Sequence, residues 1–266
     1  APLVENPGIY ETLSNIEKGS SLKANLSPVS QVYFVIDKEG QVEIYDRISI
    51  EFIIMDNLKM GSTDSSVNSL LHRINGQNLV YRNTINNAVS GACSWAENCQ
   101  VYPDYRNQRV SKYIAEQVHD GYYLSDLVLK GVGYHFGKIP DEVRSKIEIS
   151  FCKGLIDTLF CTSTLMQGVN LPADNIIIDN TRNGGSDMNA IQFKNLTGRV
   201  GRLSNSMLGN VFTIATSDRA KKKFKKLIRP NGMEVELSLD TLIDGKTIRK
   251  ISKELKVGDL TLKSVR

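Results

Sequence analysis

Four short runs of buried-type residues recur along this chain: NLVY (78–81), DTLFCT (157–162), NIIID (175–179) and GNVFTIA (209–215). Helical patterns fill the intervals between them. The stretch 84–96 fits a helix, as do 109–118 and 125–129, and a further helix starts at Pro140 and runs to about Lys153. In that last helix Val143, Ile147 and Phe151 recur at helical spacing, and proline suits a first turn because its missing N–H has no partner there. Strands that alternate with helices imply βαβ units, a mostly parallel sheet and helices on both faces, which is the α/β class. Ligands of such folds sit at the carboxyl ends of strands, where TSTLMQG (162–168) and YHFG (134–137) fall. Upstream, QVYFVI and QVEIYDR flank the Gly-containing turn DKEG and predict a hairpin, with ISIEFIIMD as a further run. The pattern divides the chain into 1–60, 61–228 and a short extension, 229–266.

The second signal is GRVGR (198–202). Two arginines three residues apart share one face of a helix, so Arg199 and Arg202 are expected to form a fork. Gly198 and Gly201 each cost a helix about 1 kcal/mol relative to alanine, and close approach of a partner is a reason to keep them. Planar, permanently charged guanidiniums suit bidentate capture of phosphate oxygens. The segment therefore reads as a phosphate clamp that another surface completes. A second basic stretch, RAKKKFKKLIR (219–229), holds seven cations and no acid. It is expected to be a solvated helix face, with a phosphate backbone as the alternative partner.

Composition narrows the class. The chain has 266 residues, 41% hydrophobic and 23% charged, so it can bury a real core. A net charge of +4 permits nucleic-acid binding without requiring it. Its apolar runs are too short to cross a bilayer and its first ten residues lack a signal-peptide pattern, so a cytoplasmic protein with no membrane partner is expected. Cys93, Cys99, Cys152 and Cys161 match no common zinc spacing and are expected as buried thiols, with no metal site.

Thr162 to Ala173 and Phe193 to Leu203 together resemble motifs V and VI of the second RecA-like domain of superfamily 2 helicases, in the DEAD/DEAH-box and related branches. NLVYRNT (78–84) is similar to motif IV, and GVGYHFGKIPDEVRSKIEISFCKG (131–154) is similar to the segment that precedes motif V in helicases with GVNLPA. The close resemblance covers about 131–215 and extends more weakly back to Asn78. It implies a RecA-like three-layer fold, with 1–60 as the end of a first RecA-like domain or a linker and 61–228 as the helicase C-terminal domain. It implies that Arg199 and Arg202 reach the γ-phosphate of ATP held by the other RecA-like domain, one of them as the arginine finger. Gly168, Asn170 and Asn195 fall where the family contacts the nucleotide; Asn195 is shorter than the usual Gln or His. Asn83, Thr84, Thr162 and Thr164 match positions that touch the nucleic-acid backbone through hydroxyl and amide groups, and His135 lies in a loop of that kind.

A working motor of this family also needs a phosphate-cradling GxxxxGK[ST] and an acidic motif for Mg²⁺. GKT at 245–247 is not that cradle, because Asp240 stands in place of its first glycine. DEVR at 141–144 follows Pro140 at a helix start, where acids favour the dipole. The chain is accordingly expected to hydrolyse no ATP alone, to rely on a first RecA-like domain that also binds most of the Mg²⁺, and to contribute part of a single-strand track. The alternative is a non-catalytic helicase-like module that binds nucleic acid or protein.

Overall fold

The recurring apolar runs become strands of one eight-stranded sheet in the computed structural model, which describes residues 30–61, 66–102, 104–166, 171, 173–201 and 208–229. The strands are β1 (Ser30–Ile36), β2 (Val42–Asp46), β3 (Glu51–Ile54), β4 (Asn78–Tyr81), β5 (Val132–His135), β6 (Thr158–Cys161), β7 (Asn175–Ile178) and β10 (Leu208–Ile214). They lie in the order β3-β2-β1-β10-β7-β4-β6-β5. From β1 to β5 every neighbouring pair is parallel. Strands β2 and β3 continue the sheet antiparallel. A small separate hairpin joins β8 (Arg182–Asn183) to β9 (Ser186–Asp187).

Among the described residues the helices are α1 (Val67–Leu71), α2 (Ile85–Ala96), α3 (Tyr105–Gln117), α4 (Tyr123–Leu129), α5 (Asp141–Cys152), α6 (Ala190–Thr197) and α7 (Asp218–Ile228). Every residue of β4, β5, β6 and β7 is buried. A strand buried on both faces needs a layer on each side, so this is a RecA-like three-layer α/β domain. Local chemistry starts the helices that matter for the site. The Thr84 hydroxyl accepts from the Asn87 amide at 3.2 Å and starts α2. Asn189 and Gln192 close a capping box around the start of α6. Helix α5 opens on Pro140 with Asp141 and Glu142 in its first turn, as the capping reading expects. No helix among the described residues is long and apolar enough to cross a membrane.

Two expectations meet a different structure. The upstream hairpin forms, with Phe34 opposite Ile44, yet β1 also pairs in parallel with β10 from Ser30↔Leu208 to Ile36↔Ile214. Residues 30–54, read from sequence as linker or the end of another domain, thus extend this sheet. Residues 198–201 of GRVGR are not helical. Helix α6 ends at Thr197 with Gly198 as its cap, and Gly201 has φ +69°, outside the helical range. The expectation that Arg199 stands on a helix is therefore corrected, because the two glycines terminate the helix rather than burden it, and Arg202 lies outside the described residues.

Candidate functional site

Strand register brings one group of the sequence-predicted residues together. Tyr81 pairs with both Cys161 and Ile178, and His135 pairs with Cys161, so β4, β5, β6 and β7 end level with one another. The residues that follow line a single edge. Asn83 is half-buried, and its side-chain carbonyl accepts from the Asn87 side chain at 3.0 Å. Thr84 is exposed, and with its oxygen accepting at the cap of α2 its hydroxyl keeps a proton to donate. Across β6, Thr162 is itself buried, donates its amide to the His135 carbonyl at 3.2 Å, and lies with its hydroxyl 3.3 Å from that of the half-buried Thr164. Gly137 sits against the Thr164 methyl, where an added Cβ would approach to 3.1 Å. Hydroxyls and amides on one edge can contact a phosphate and sugar backbone without reading bases.

His135 does not join them. Its side chain is 1% exposed, and its Nε2 lies 2.8 Å from Glu148 Oε1. Burial holds the imidazole below its ordinary pKa although the Glu148 carboxylate pulls the other way. The neutral ring donates Nε2–H to Glu148, and this placement gives it a packing role beneath the edge.

Arg199 lies at the opposite end of the sheet. The Gly201 amide donates to the Ala173 carbonyl at 3.2 Å, and Val200 bridges Ala173 in parallel just before β7 begins. Val200 is fully buried, while Arg199 beside it is half-buried. Gly209, at the start of β10, makes this approach possible, since a Cβ there would fall 2.5 Å from the Gly201 nitrogen. From β1, the Gln31 side chain donates to the Thr197 carbonyl at 2.9 Å and the Tyr33 ring stacks on Phe193. The contacts of Val200 and Gly201 with Ala173 tie the segment that contains Arg199 to the end of the 162–173 stretch, and the anchored Val200 fixes where its neighbour stands. Asn195 is exposed on α6. Arg202, Gly168 and Asn170 lie outside the described residues, as does the GKT tripeptide.

The basic helix α7 is neither a fully solvated face nor a free phosphate track. Lys221 pairs with Asp37 and Glu43 at 2.8 and 2.7 Å. Lys225 pairs with Glu43 and lies over the Phe52 ring, and Lys223 pairs with Asp187. Lys222 and Lys226 point to solvent. Cys161 is buried, as expected, whereas Cys93 and Cys99 are half-buried and Cys152 is on the surface. Sequence reasoning also missed Arg82 and Asp179, which pair across the ends of β4 and β7. Nothing local marks that pair, because ninety-seven residues separate its members.

No protein-family model matches the chain. It is 28% identical over 226 residues to the ATP-dependent DNA helicase Hel308 of Caldivirga maquilingensis, covering 79% of this chain and 29% of that protein. The Hel308 of Pyrobaculum calidifontis is 30% identical over 157 residues, covering 53% of this chain and 22% of the relative. A helicase POLQ-like protein of Caenorhabditis elegans is 31% identical over 106 residues, 40% of this chain and 12% of its own. The chain thus spans less than a third of each of these relatives. Sheet and relatives agree that the chain is similar to Hel308-like and POLQ-like helicases, and its RecA-like fold is consistent with a helicase C-terminal-like domain.

Proposed function

We propose that this chain is the C-terminal motor domain of an ATP-dependent nucleic-acid helicase. It lends Arg199 and Arg202 to a nucleotide held by a first RecA-like domain, and its Asn83, Thr84, Thr162 and Thr164 edge forms part of a single-strand track. The observation that carries this reading is the anchoring of Val200 and Gly201 on Ala173, which holds Arg199 by its backbone at a point away from the strand-end hydroxyls. Nucleotide and nucleic acid then have separate stations on one rigid sheet.

The chemistry that ATP supplies is phosphoanhydride hydrolysis. The chain's own part is electrostatic. A guanidinium set beside a transferring phosphoryl group offsets charge on its oxygens and contributes about 10³ to 10⁵ in rate. Arg199, with Gly168, Asn170 and Asn195, is the surface this chain would turn toward the phosphates and ribose, and the Mg²⁺ would rest mainly on the other domain. Closing the two domains over a strand would couple that contact to the hydroxyl edge.

Titration of the chain with labelled single-stranded DNA and RNA at low and moderate salt tests the nucleic-acid half of this proposal. Binding that weakens as salt rises is expected, because phosphate contacts release counterions. The chain alone is also expected to turn over no ATP. Failure to bind either strand, or clear turnover by this chain, would overturn the reading.

A further inference from the structure

The ion pair of Arg82 and Asp179 has no place in the roles assigned so far, although it stands directly beneath the strand-end edge. Tyr81 and Ile178 are register partners in β4 and β7, so the next residues, Arg82 and Asp179, face each other across the strand ends. The Arg82 side chain is 18% exposed and that of Asp179 22%. Arg82 also reaches the strand on its other side, with its guanidinium 5.8 Å from the centre of the Phe160 ring in β6. Helix α2 leaves room for it at Gly91, where a Cβ would lie 3.2 Å from Arg82 Nε and 3.0 Å from the Phe160 ring. The Arg82 amide donates to the Cys161 carbonyl at 2.7 Å. One residue earlier, the Tyr81 hydroxyl donates to the Arg182 carbonyl at 3.0 Å, at the base of the β8–β9 hairpin.

Stability does not explain such a pair. Taking two charges out of water is expensive, and apolar side chains of similar volume often serve equally well or better. What an apolar pair lacks is direction. A guanidinium held by a carboxylate on one side and a ring face on the other fixes the path of its own backbone. That backbone continues at once into Asn83 and Thr84.

We infer that Arg82 and Asp179 are positioning residues, which lock the end of β4 between β6 and β7 so that Asn83 and Thr84 meet a nucleic-acid backbone at fixed height. The inference rests on the nucleic-acid reading of this edge. It makes Arg82 a residue that acts through its neighbours, with Asp179 as its anchor and Phe160 as its floor. The Thr84 cap of α2 is held by the same lock, because the Asn87 and Ala88 amides bond to Thr84.

The test uses the whole chain in four forms: wild type, Arg82→Met, Asp179→Leu and the double variant. Each single variant leaves one half-buried charge without its partner and is expected to melt lower. The double variant is expected to melt within about 2 °C of wild type. Its Asn87 and Ala88 amides are expected to exchange with deuterium about tenfold faster, and its affinity for a labelled single strand to fall about tenfold, the loss of roughly one or two hydrogen bonds. A double variant with wild-type exchange and wild-type affinity would overturn the inference. So would a change in only one of the two when wild type binds, since displaced backbone must move both. If exchange quickens and no form binds a strand, the lock stands and the nucleic-acid reading of the edge falls.

Discussion

His135 ends β5 with its imidazole inside the protein, and this reverses the role that its loop suggested from sequence. The ring is held neutral because burial outweighs the pull of Glu148. An unfolded chain takes up that proton near pH 6.5, whereas the folded one takes it only at lower pH. The unfolded state therefore binds more protons in this window, and stability falls as pH drops from about 6.5. Melting at pH 7.5 and 5.5 should show a smaller acid penalty for His135→Asn than for wild type; equal penalties would contradict the assignment. Gly209 gives a second residue-scale expectation. Its Cβ position collides with backbone, 2.5 Å from Gly201 N, so Gly209→Ala must displace the Arg199 segment. It should cost about 2 kcal/mol in urea unfolding, as overpacking does. Gly154→Ala is the control, with open space around it and only its φ of +67° to oppose it, about 1 kcal/mol. At this scale the sequence singled out Arg199, Thr162, Thr164, Asn83 and Thr84 through motif resemblance alone, and the structure brings the last four together at one edge with Arg199 apart. It could not separate an exposed histidine from a buried one, because the distinguishing partner, Glu148, sits on the next helix.

Helix α7 shows what patterning can and cannot reveal about an element. A helix is expected from the cationic run, and its Phe224, Leu227 and Ile228 are buried. Its partners were not legible, since Asp37 and Glu43 lie nearly two hundred residues earlier and meet it only once β1 pairs with β10. For Glu43, burial pushes the carboxyl up, but Lys221 and Lys225 outweigh it and hold it below the ordinary range; Asp37 is lowered likewise against its own burial. Depressed folded values mean stability that is complete above the ordinary carboxylate range and lost as pH falls through and below about 4. Lys221→Met should cost about 2 to 3 kcal/mol and flatten that acid transition, since Glu43 then keeps only Lys225. Lys222→Glu with Lys226→Glu should leave stability within about 0.5 kcal/mol and weaken single-strand binding. Equal unfolding midpoints for the two kinds of variant would contradict this division of the helix.

Across the whole molecule, the sheet separates two stations. Strand ends at β4 and β6 present the hydroxyl edge, and the segment tied to Ala173 presents Arg199 where β7 and β10 begin. The α/β class and most strand positions were legible because buried strands advertise themselves as apolar runs. The placement of the two stations at opposite ends was not, because it follows from sheet order, which sequence spacing leaves open. Where the sequence predicts a helical arginine fork, residues 198–201 form a loop anchored by Val200, and that anchoring supports the proposal that Arg199 contributes to a site completed elsewhere. The most direct test joins this chain to a first RecA-like domain of the proposed kind and compares ATP turnover and single-strand affinity with and without Arg199→Ala. Turnover reduced about a thousandfold or more with strand affinity kept is the expected result, and unchanged turnover would contradict it.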